Sequence, residues 1–256
     1  MHVNDDGHHK EAVLCLADRD YASAGDSYAR AGWSILSEPR SGRSPFDEDD
    51  HGYVGRSLQE MFMSAVCYRI AGQNRRARSR SECGVAVSED LAESFASPVQ
   101  RACLKEFVAD FRVVSPDGER YRDAYEEAAE SYRSAVDEAT EAQTVSTTAL
   151  FRAASEGMKQ MGRTLENGEI AVEWQDLHGP DPSDAGDFLA HRARYKLQRL
   201  PSLVDGVIEE GFLAAPRGST EYNTDHHRCP ECGSEDVNWV ADTVLCLRCS
   251  GRTEPQ

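Results

Sequence analysis

The chain has 256 residues, of which 39% are hydrophobic, so it can form one large domain or two small ones around a buried core. Its formal net charge of −17 argues against nonspecific nucleic-acid binding by the surface as a whole. No apolar run approaches the roughly 18 residues of a membrane span, and the polar N-terminus lacks the apolar core of a signal peptide. We therefore expect a cytoplasmic protein, and its 8 cysteines fit a reducing compartment.

Most of the chain has the periodicity of α-helices. Residues 1–9 are polar and predict a disordered tail, and residues 10–214 predict a helical domain. The predicted helices cover residues 11–16, 21–36, 57–71, 75–87, 88–95, 98–113, 121–142, 146–161, 184–200 and 202–213. Residues 39–55 are rich in Ser, Gly, Pro and Asp and predict a loop.

Two segments interrupt or follow these helices. In residues 165–174, Asn167-Gly168 is typical of a type I′ hairpin turn, although an ordinary irregular link between helices is an equal alternative. Asp176 and His178 lie in a further loop, with no nucleophile identifiable from the sequence. Residues 215–228 predict a polar linker that includes His226 and His227, which we interpret as solvated linker residues.

One residue pattern occurs twice in the predicted helices. Tyr21, Ala24, Tyr28 and Ala31 align with Tyr125, Ala128, Tyr132 and Ala135. A weaker copy, which lacks both aromatic residues, contains Ala77, Ser81 and Gly84. Aromatic and small residues at i, i+3, i+7 and i+10 share one helical face, on which the small residues admit a neighbouring helix.

This pattern resembles the second helix of tetratricopeptide repeats and of the related soluble attachment proteins of vesicle fusion. The resemblance covers about residues 10–160, although the copies are spaced more widely than the roughly 34 residues of a standard repeat. It implies stacked helical hairpins whose curved face binds a protein or peptide partner. The alternative is a helical bundle in which the Ala/Tyr faces simply converge.

The charged residues have a distinctive composition. Acidic residues are abundant, and lysine is limited to Lys10, Lys105, Lys159 and Lys196 while arginine is common. This composition resembles that of proteins from salt-loving archaea, whose charged surfaces keep them soluble at molar salt. The negative charge would then be an adaptation to a salty habitat and would not indicate a binding partner.

Five arginines form a local basic patch in residues 69–80. They are Arg69, Arg75, Arg76, Arg78 and Arg80, in a stretch without acidic residues. A dock for an acidic partner or a phosphate backbone is one interpretation. The other is a solvated helix face that pairs with acids of neighbouring helices.

The C-terminal segment, residues 229–251, contains two Cys-x-x-Cys pairs. Cys229, Cys232, Cys246 and Cys249 can present four thiolates to one tetrahedral Zn²⁺. Residues 237–245 between the pairs predict two short strands, and the site can be covered by Trp239, Val240, Val244 and Leu245. Residues 252–256 predict a short tail. The remaining cysteines, Cys15, Cys67, Cys83 and Cys103, lie in helical patterns and are expected to be buried small hydrophobes.

The Cys-Pro-x-Cys-Gly-Ser sequence that begins at Cys229 resembles the zinc ribbon found at one end of archaeal transcription proteins and in many accessory proteins. By that resemblance the four cysteines are the ligands of one structural zinc ion. Iron in a rubredoxin-like site and a disulfide pair are the alternatives. A site of four thiolates has no open position, so it is structural rather than catalytic, and the metal supplies on the order of 10 kcal/mol of folding free energy.

These observations predict a mainly α protein of stacked helical hairpins with a small C-terminal β zinc ribbon. We expect a non-catalytic protein-interaction scaffold whose helical face binds a protein or peptide, with no membrane partner. A nucleic-acid- or transcription-machinery-associated regulator is the alternative. Against it, residues 229–256 contain only two basic residues, Arg248 and Arg252, and five acidic residues. An enzyme with an unrecognised site is a third interpretation, which a deep pocket of convergent polar groups would favour. The partner and the oligomeric state are not predicted.

Overall fold

The computed structural model describes residues 6–38, 51–136 and 140–256. The helices in this part of the chain are α1 (Asp6–Ala17), α2 (Tyr21–Ser37), α3 (Gly52–Ile70), α4 (Asn74–Ser94), α5 (Pro98–Val114), α6 (Tyr121–Ala135), α7 (Ala142–Ser146), α8 (Ala149–Leu165), α9 (Trp174–Leu177) and α10 (Ala185–Glu210). The strands are β1 (Ser219–Glu221), β2 (His227–Arg228), β3 (Val237–Val240), β4 (Thr243–Cys246) and β5 (Glu254–Pro255). None of the helices in the described ranges is both long and apolar enough to cross a bilayer.

The predicted fold class is confirmed. Each of α1 to α5 packs against the next helix in the chain, as in a series of helical hairpins, and α8 and α10 pack across this series. The strands form two antiparallel sheets, one in the order β1-β3-β4 and one that pairs β2 with β5. We call the part from Ser219 to Pro255 the β region.

Several predicted boundaries are wrong. Helix α1 begins at Asp6 rather than after residue 9, and α4 continues without a break across residues 87 and 88. Residues 39–50 of the predicted loop lie outside the described residues, and α3 already begins at Gly52. Helix α6 ends at Ala135, short of its predicted end at residue 142.

Helix α10 continues through Pro201, where the sequence predicted two helices. A proline inside a helix removes one backbone hydrogen bond and disturbs the preceding turn. Leu200 and Leu203, on either side of Pro201, are both buried in the main core. The apolar face of α10 is therefore continuous, and its burial outweighs the local cost of the proline.

Local sequence signals mark several of the helix ends. The side chain of Asp20 accepts a hydrogen bond from the Ser23 N–H (3.0 Å) at the start of α2, and Asp184 accepts one from Asp187 (3.1 Å) at the start of α10. Gly211 follows α10 in a left-handed conformation with φ 62°. These caps satisfy backbone groups that a helix end would otherwise leave unpaired.

The repeated Tyr/Ala pattern lies in the core. Tyr21 and Tyr28 of α2, like Tyr125 and Tyr132 of α6, are buried, and so are the pattern's alanines except the last, which is half-buried. Small residues let neighbouring helices approach closely, as predicted. A Cβ added at Gly25, for example, would lie only 2.7 Å from the ring of Tyr68. The tyrosines therefore hold the helices together and do not form an exposed partner-binding surface.

A buried ionic network joins α5 and α10. The guanidinium of Arg192 donates to both carboxylate oxygens of Glu106, with shortest distances of 2.8 Å. The Lys196 Nζ lies 2.8 Å from Glu106 and 2.6 Å from Asp110. All four side chains are buried, so the two carboxylates balance the two cations away from solvent.

The repeat tyrosines complete this network from α6. The Tyr132 hydroxyl donates to Glu106 (2.6 Å), and the Tyr125 hydroxyl donates to Asp110 (2.5 Å). Although burial opposes the shift, Arg192 and Lys196 lower the pKa of Glu106 to about 2. Burial raises the pKa of Asp110 to about 6, against the attraction of Lys196. The sequence patterns did not reveal this network, because its members are far apart in the chain.

Candidate metal centre

The four predicted ligands come together in the β region. The sulfur atoms of Cys229, Cys232, Cys246 and Cys249 all lie within 4.8 Å of one another. The Cys229 and Cys249 sulfurs are 3.5 Å apart, as are those of Cys232 and Cys246. Cys229 and Cys246 are buried, and Cys232 is exposed. This cluster could hold one metal ion.

Each Cys-x-x-Cys pair lies on a tight turn. In the first turn, the Gly233 N–H donates to the Cys229 carbonyl (2.9 Å), and the Cys229 N–H donates to the Ser234 carbonyl (2.9 Å). Gly233 has φ 74°, a left-handed conformation that glycine adopts without steric cost. The turn brings both sulfurs of the pair to the same side.

The second turn repeats the hydrogen bonds of the first. The Ser250 N–H donates to the Cys246 carbonyl (2.9 Å), and the Cys246 N–H donates to the Gly251 carbonyl (2.8 Å). Ser250 has φ 55°, so it occupies the position of Gly233 in the same left-handed region. The two turns are therefore equivalent, as expected for ligands that converge on one ion.

Backbone amides point at the sulfurs. The sulfur of Cys246 is hydrogen-bonded by the Cys249 thiol and by the N–H groups of Cys249 and Arg248. These bonds lower the pKa of the Cys246 thiol to about 5, although its burial acts in the opposite direction. The hydrogen bond to Cys246 raises the pKa of Cys249. Thiolate is the form of cysteine that binds metals.

The other residues considered as ligands or covers lie apart. Within the described ranges, the group that could hold a metal consists of cysteines and includes neither His226 nor His227. The His227 ring instead contacts the edge of Trp239, with centroids 5.4 Å apart. Trp239, which was predicted to help cover the site, is 45% exposed.

The segment predicted as a linker is anchored to the helices. Ala214 and Ala215 are buried. The Ala214 N–H donates to the Thr164 hydroxyl (3.0 Å), and the Ala215 N–H donates to the Ser250 hydroxyl (2.9 Å). Residues 219–221 then form strand β1 beside β3, so the β region begins before the predicted boundary at residue 229.

The second cysteine turn also contacts the start of the helical body. The Arg19 guanidinium donates to the Cys249 carbonyl (2.6 Å), and Arg252 pairs with both oxygens of Asp18 (2.8 and 2.9 Å). An apolar cluster beneath these contacts consists of Val13, Ala17, Ala215 and Leu245. The β region thus packs on α1 through the turn that contains Cys246 and Cys249.

Residues 166–173 form an irregular link, as one of the two interpretations predicted. Asn167 and Gly168 both have positive φ, 52° and 88°, but no strands flank them. Their carbonyls instead accept hydrogen bonds from Arg248 (3.1 Å) and Arg217 (3.1 Å). Asn167-Gly168 therefore forms a turn whose carbonyls bind the β region through hydrogen bonds.

The basic patch and the remaining cysteines agree in part with expectation. Arg76 pairs with Asp26, and Arg78 pairs with Asp117, so these two arginines match the interpretation as a solvated face.

Cys67 and Cys103 are buried as predicted. Cys15 and Cys83 are half-buried instead.

Comparison with known proteins gives no match: no family model fits the sequence, and no curated protein and no solved structure matches it. The tetratricopeptide and zinc-ribbon resemblances therefore depend on the residues that carry them. The fold, the two equivalent cysteine turns and the position of the β region on α1 are the basis for a functional hypothesis.

Proposed function

We propose that this protein is a non-catalytic protein-interaction scaffold of the tetratricopeptide-like type, stabilised by a structural zinc ion in its β region. The observation that carries the zinc assignment is the cysteine cluster, whose four sulfurs lie within 4.8 Å of one another on two equivalent turns, and the scaffold role is proposed from the packing of helical hairpins. A tetrahedral ion with Zn–S bonds of about 2.3 Å would place its sulfurs about 3.8 Å apart. Four thiolates leave no position for a substrate, so such an ion is structural.

The zinc ion would stabilise more than the β region. In the second cysteine turn, the Ser250 hydroxyl accepts a hydrogen bond from the Ala215 N–H, and the Cys249 carbonyl accepts one from Arg19. The apolar cluster at this junction is small, so metal binding would supply much of the folding free energy of the β region. Loss of the ion would therefore also release the contacts to α1.

Hydrogen exchange with and without a chelator tests this structural role. We expect removal of the metal to abolish protection of backbone amides in residues 219–255 and to weaken protection in α1. The amides of α5, which lie in the main core, should stay protected and serve as the internal control. Unchanged protection of the β region after complete metal removal would contradict the proposal.

A groove across α4, α5 and α6 is the surface that we assign to the partner. It encloses about 790 Å³. Its charged side chains comprise three basic residues, all from α5, and four acidic residues from α4 and α6. They are Arg101, Lys105 and Arg112, and Glu89, Glu93, Glu127 and Glu130.

Four acidic against three basic side chains give the groove a small acidic excess, which would suit a basic peptide segment. Lys105 is neutralised by Glu127 (2.8 Å), and Arg112 lies 3.7 Å from Glu89. Glu93 is exposed at the rim of the groove. With a net charge of −17, the protein as a whole would also attract a basic partner at low salt.

Charge reversal in the groove tests the partner surface. We expect the Glu93→Lys variant to weaken binding of lysine-rich peptides from a peptide library by about tenfold at 0.1 M salt. Glu209→Lys, on the exposed face of α10, makes the same charge change outside the groove and is the matched control. Equal effects of both variants would show that binding is nonspecific attraction and would contradict a groove-bound partner.

Association with nucleic acid is a second candidate because two aromatic side chains of the β region are exposed. Trp239 and Tyr222 are each 45% exposed and could stack on unpaired bases. The acidic excess of the β region opposes this function. Salt-dependent binding of single-stranded DNA or RNA that is lost in Trp239→Ala would favour it over the scaffold.

A further inference from the structure

A second cavity, of about 770 Å³, lies between α8, the segment around α9 and residues 216–218. This volume is within the range of about 300–1,000 Å³ that is typical of small-molecule pockets. The wall combines the aromatic rings of Phe151 and Trp174 with polar side chains. The cavity is separate from both the cysteine cluster and the groove across α4 to α6.

The charge of the cavity wall is opposite to that of the protein. Five basic and two acidic residues line it, in a chain whose net charge is −17. The basic residues are Arg152, Lys159, Arg163, Arg192 and Arg217, and the acidic residues are Glu156 and Glu173. Lys159 pairs with Glu156 (2.9 Å), and Arg192 is neutralised by Glu106. The other arginines carry the excess positive charge.

Arg163 and Arg217 hydrogen-bond only with neutral groups among the described residues. Arg163 is 6% exposed and donates to the Ala215 carbonyl. Arg217 donates to the Gly168 carbonyl (3.1 Å) and to the Thr220 hydroxyl (3.0 Å), and it also contacts a tyrosine hydroxyl. Burial, followed by repulsion from Arg217, lowers the pKa of Arg163 to about 10. Glu156 attracts Arg163 and Glu169 attracts Arg217 without forming an ion pair with either, so an anion bound directly to both guanidinium groups would lower the cost of burying Arg163.

His178 adds an unsatisfied polar atom to the same wall. It is 7% exposed, and its Nδ1 lies 2.7 Å from the Trp174 carbonyl, which requires the hydrogen to be on Nδ1. Its Nε2 is buried and has no hydrogen-bond partner. Burial lowers the pKa of His178, which favours the neutral ring with an acceptor at Nε2. The ring stacks on Trp174, whose indole is 50% exposed.

We propose that this cavity binds a small organic anion, with its phosphate or carboxylate between Arg163 and Arg217 and a hydroxyl or amine donor on His178 Nε2. The anion would neutralise the two guanidinium groups, and the donor would satisfy the unpartnered nitrogen. Binding of this ligand goes beyond the scaffold function. Because residues 216–218 line the cavity and follow the buried Ala215, the ligand would also contact the segment that anchors the β region.

Calorimetric titration of the metal-loaded protein with four probes, at constant ionic strength, tests the ligand class. The probes are ribose 5-phosphate, malate, inorganic phosphate and uncharged ribose. We expect ribose 5-phosphate or malate to bind at least tenfold more tightly than inorganic phosphate, and ribose not to bind. Absence of binding by both organic anions, or equal binding of ribose, would overturn the proposal.

Three variants locate the site. Arg217→Gln should weaken binding at least tenfold, and Arg163→Gln should abolish it. His178→Phe should remove the preference for ribose 5-phosphate over inorganic phosphate. Arg75→Gln makes the same charge change on the exposed face of α4 and is the control. If Arg163→Gln fails to fold, Arg217→Gln decides, because Arg217 is only partly buried; unchanged binding in folded Arg217→Gln would overturn the proposal.

Discussion

Ser250 occupies in the second cysteine turn the left-handed position that Gly233 occupies in the first, with φ 55° against 74°. A side chain in this conformation costs roughly 1–2 kcal/mol. The Ser250 hydroxyl nevertheless accepts a hydrogen bond from the buried Ala215 N–H at 2.9 Å. The hydrogen bond from Ala215 therefore offsets the backbone strain at Ser250 and anchors the β region to the helical body.

Substitutions at the two positions separate strain from anchoring. Ser250→Ala keeps the strain and loses the hydrogen bond, so it should lower the free energy of unfolding by about 1–3 kcal/mol. Ser250→Gly loses the bond but relieves the strain, so it should cost about 1–2 kcal/mol less than the alanine variant. Gly233→Ala adds strain alone and should cost about 1–2 kcal/mol. Denaturant unfolding of the metal-loaded protein measures these values, and a Ser250→Ala variant as stable as the wild type would contradict the anchoring role.

Gly168→Ala should detach the link between α8 and α9 from the β region. A Cβ at this position would lie 2.2 Å from the Leu247 carbonyl oxygen, and the backbone has φ 88°. We expect a loss of about 2 kcal/mol or more in the free energy of unfolding. Asn167→Gly, which keeps the left-handed turn, is the control and should change stability by less than about 1 kcal/mol. Equal unfolding midpoints for the two variants would exclude this close contact.

Removing one member of the buried ionic network should be severe. Glu106→Gln leaves Arg192 and Lys196 with one carboxylate between them, so it should lower the free energy of unfolding by about 3–5 kcal/mol. Tyr132→Phe loses one hydrogen bond to a carboxylate and should cost about 1.5–3 kcal/mol. Glu130→Gln breaks an exposed pair and should cost less than about 1 kcal/mol. Thermal and denaturant unfolding rank the three, and a mild Glu106→Gln would contradict the network's importance.

Asp110 should make stability depend on pH between about 4 and 6. Its pKa in the folded protein is about 6, above the ordinary value of 3.8, so the folded state binds the proton more tightly than the unfolded chain. The free energy of unfolding should therefore fall as the pH rises through this window, on the order of 1–3 kcal/mol. Glu106 has a lowered pKa and acts in the opposite direction, at lower pH.

The Asp110→Asn variant isolates this effect. It keeps polar atoms for Tyr125 and Lys196 but cannot titrate. The difference in free energy of unfolding between wild type and variant, measured at pH 4 and at pH 6, should show the wild type losing relative stability at the higher pH. Parallel curves for the two proteins would contradict the raised pKa of Asp110.

Periodicity and short-range spacing predicted the fold class and the cysteine cluster, because both depend on local chemistry. The bounds of α2 and α5 were predicted within one residue at each end, since Asp20 and Pro98 mark their starts. The two cysteine turns were likewise predictable, because each ligand pair is contained in a four-residue segment.

Features that depend on distant residues could not be predicted. The network of Glu106 and Arg192 spans 86 positions, and no local pattern marks either residue as buried. Proline has a strong intrinsic tendency to break helices, yet the burial of Leu200 and Leu203 keeps α10 helical through Pro201. The cavity around Arg163 and His178 also joins three separate segments, so only the assembled fold brings its charges together.

The most direct test of the central claim is elemental analysis of the purified protein, together with a count of reactive thiols under native conditions. We expect one zinc ion per chain, with the four clustered cysteines protected from alkylation until a chelator is added, and loss of the ion in Cys246→Ser. Protein that contains no zinc, contains iron instead, or has these cysteines oxidised to disulfides would contradict it.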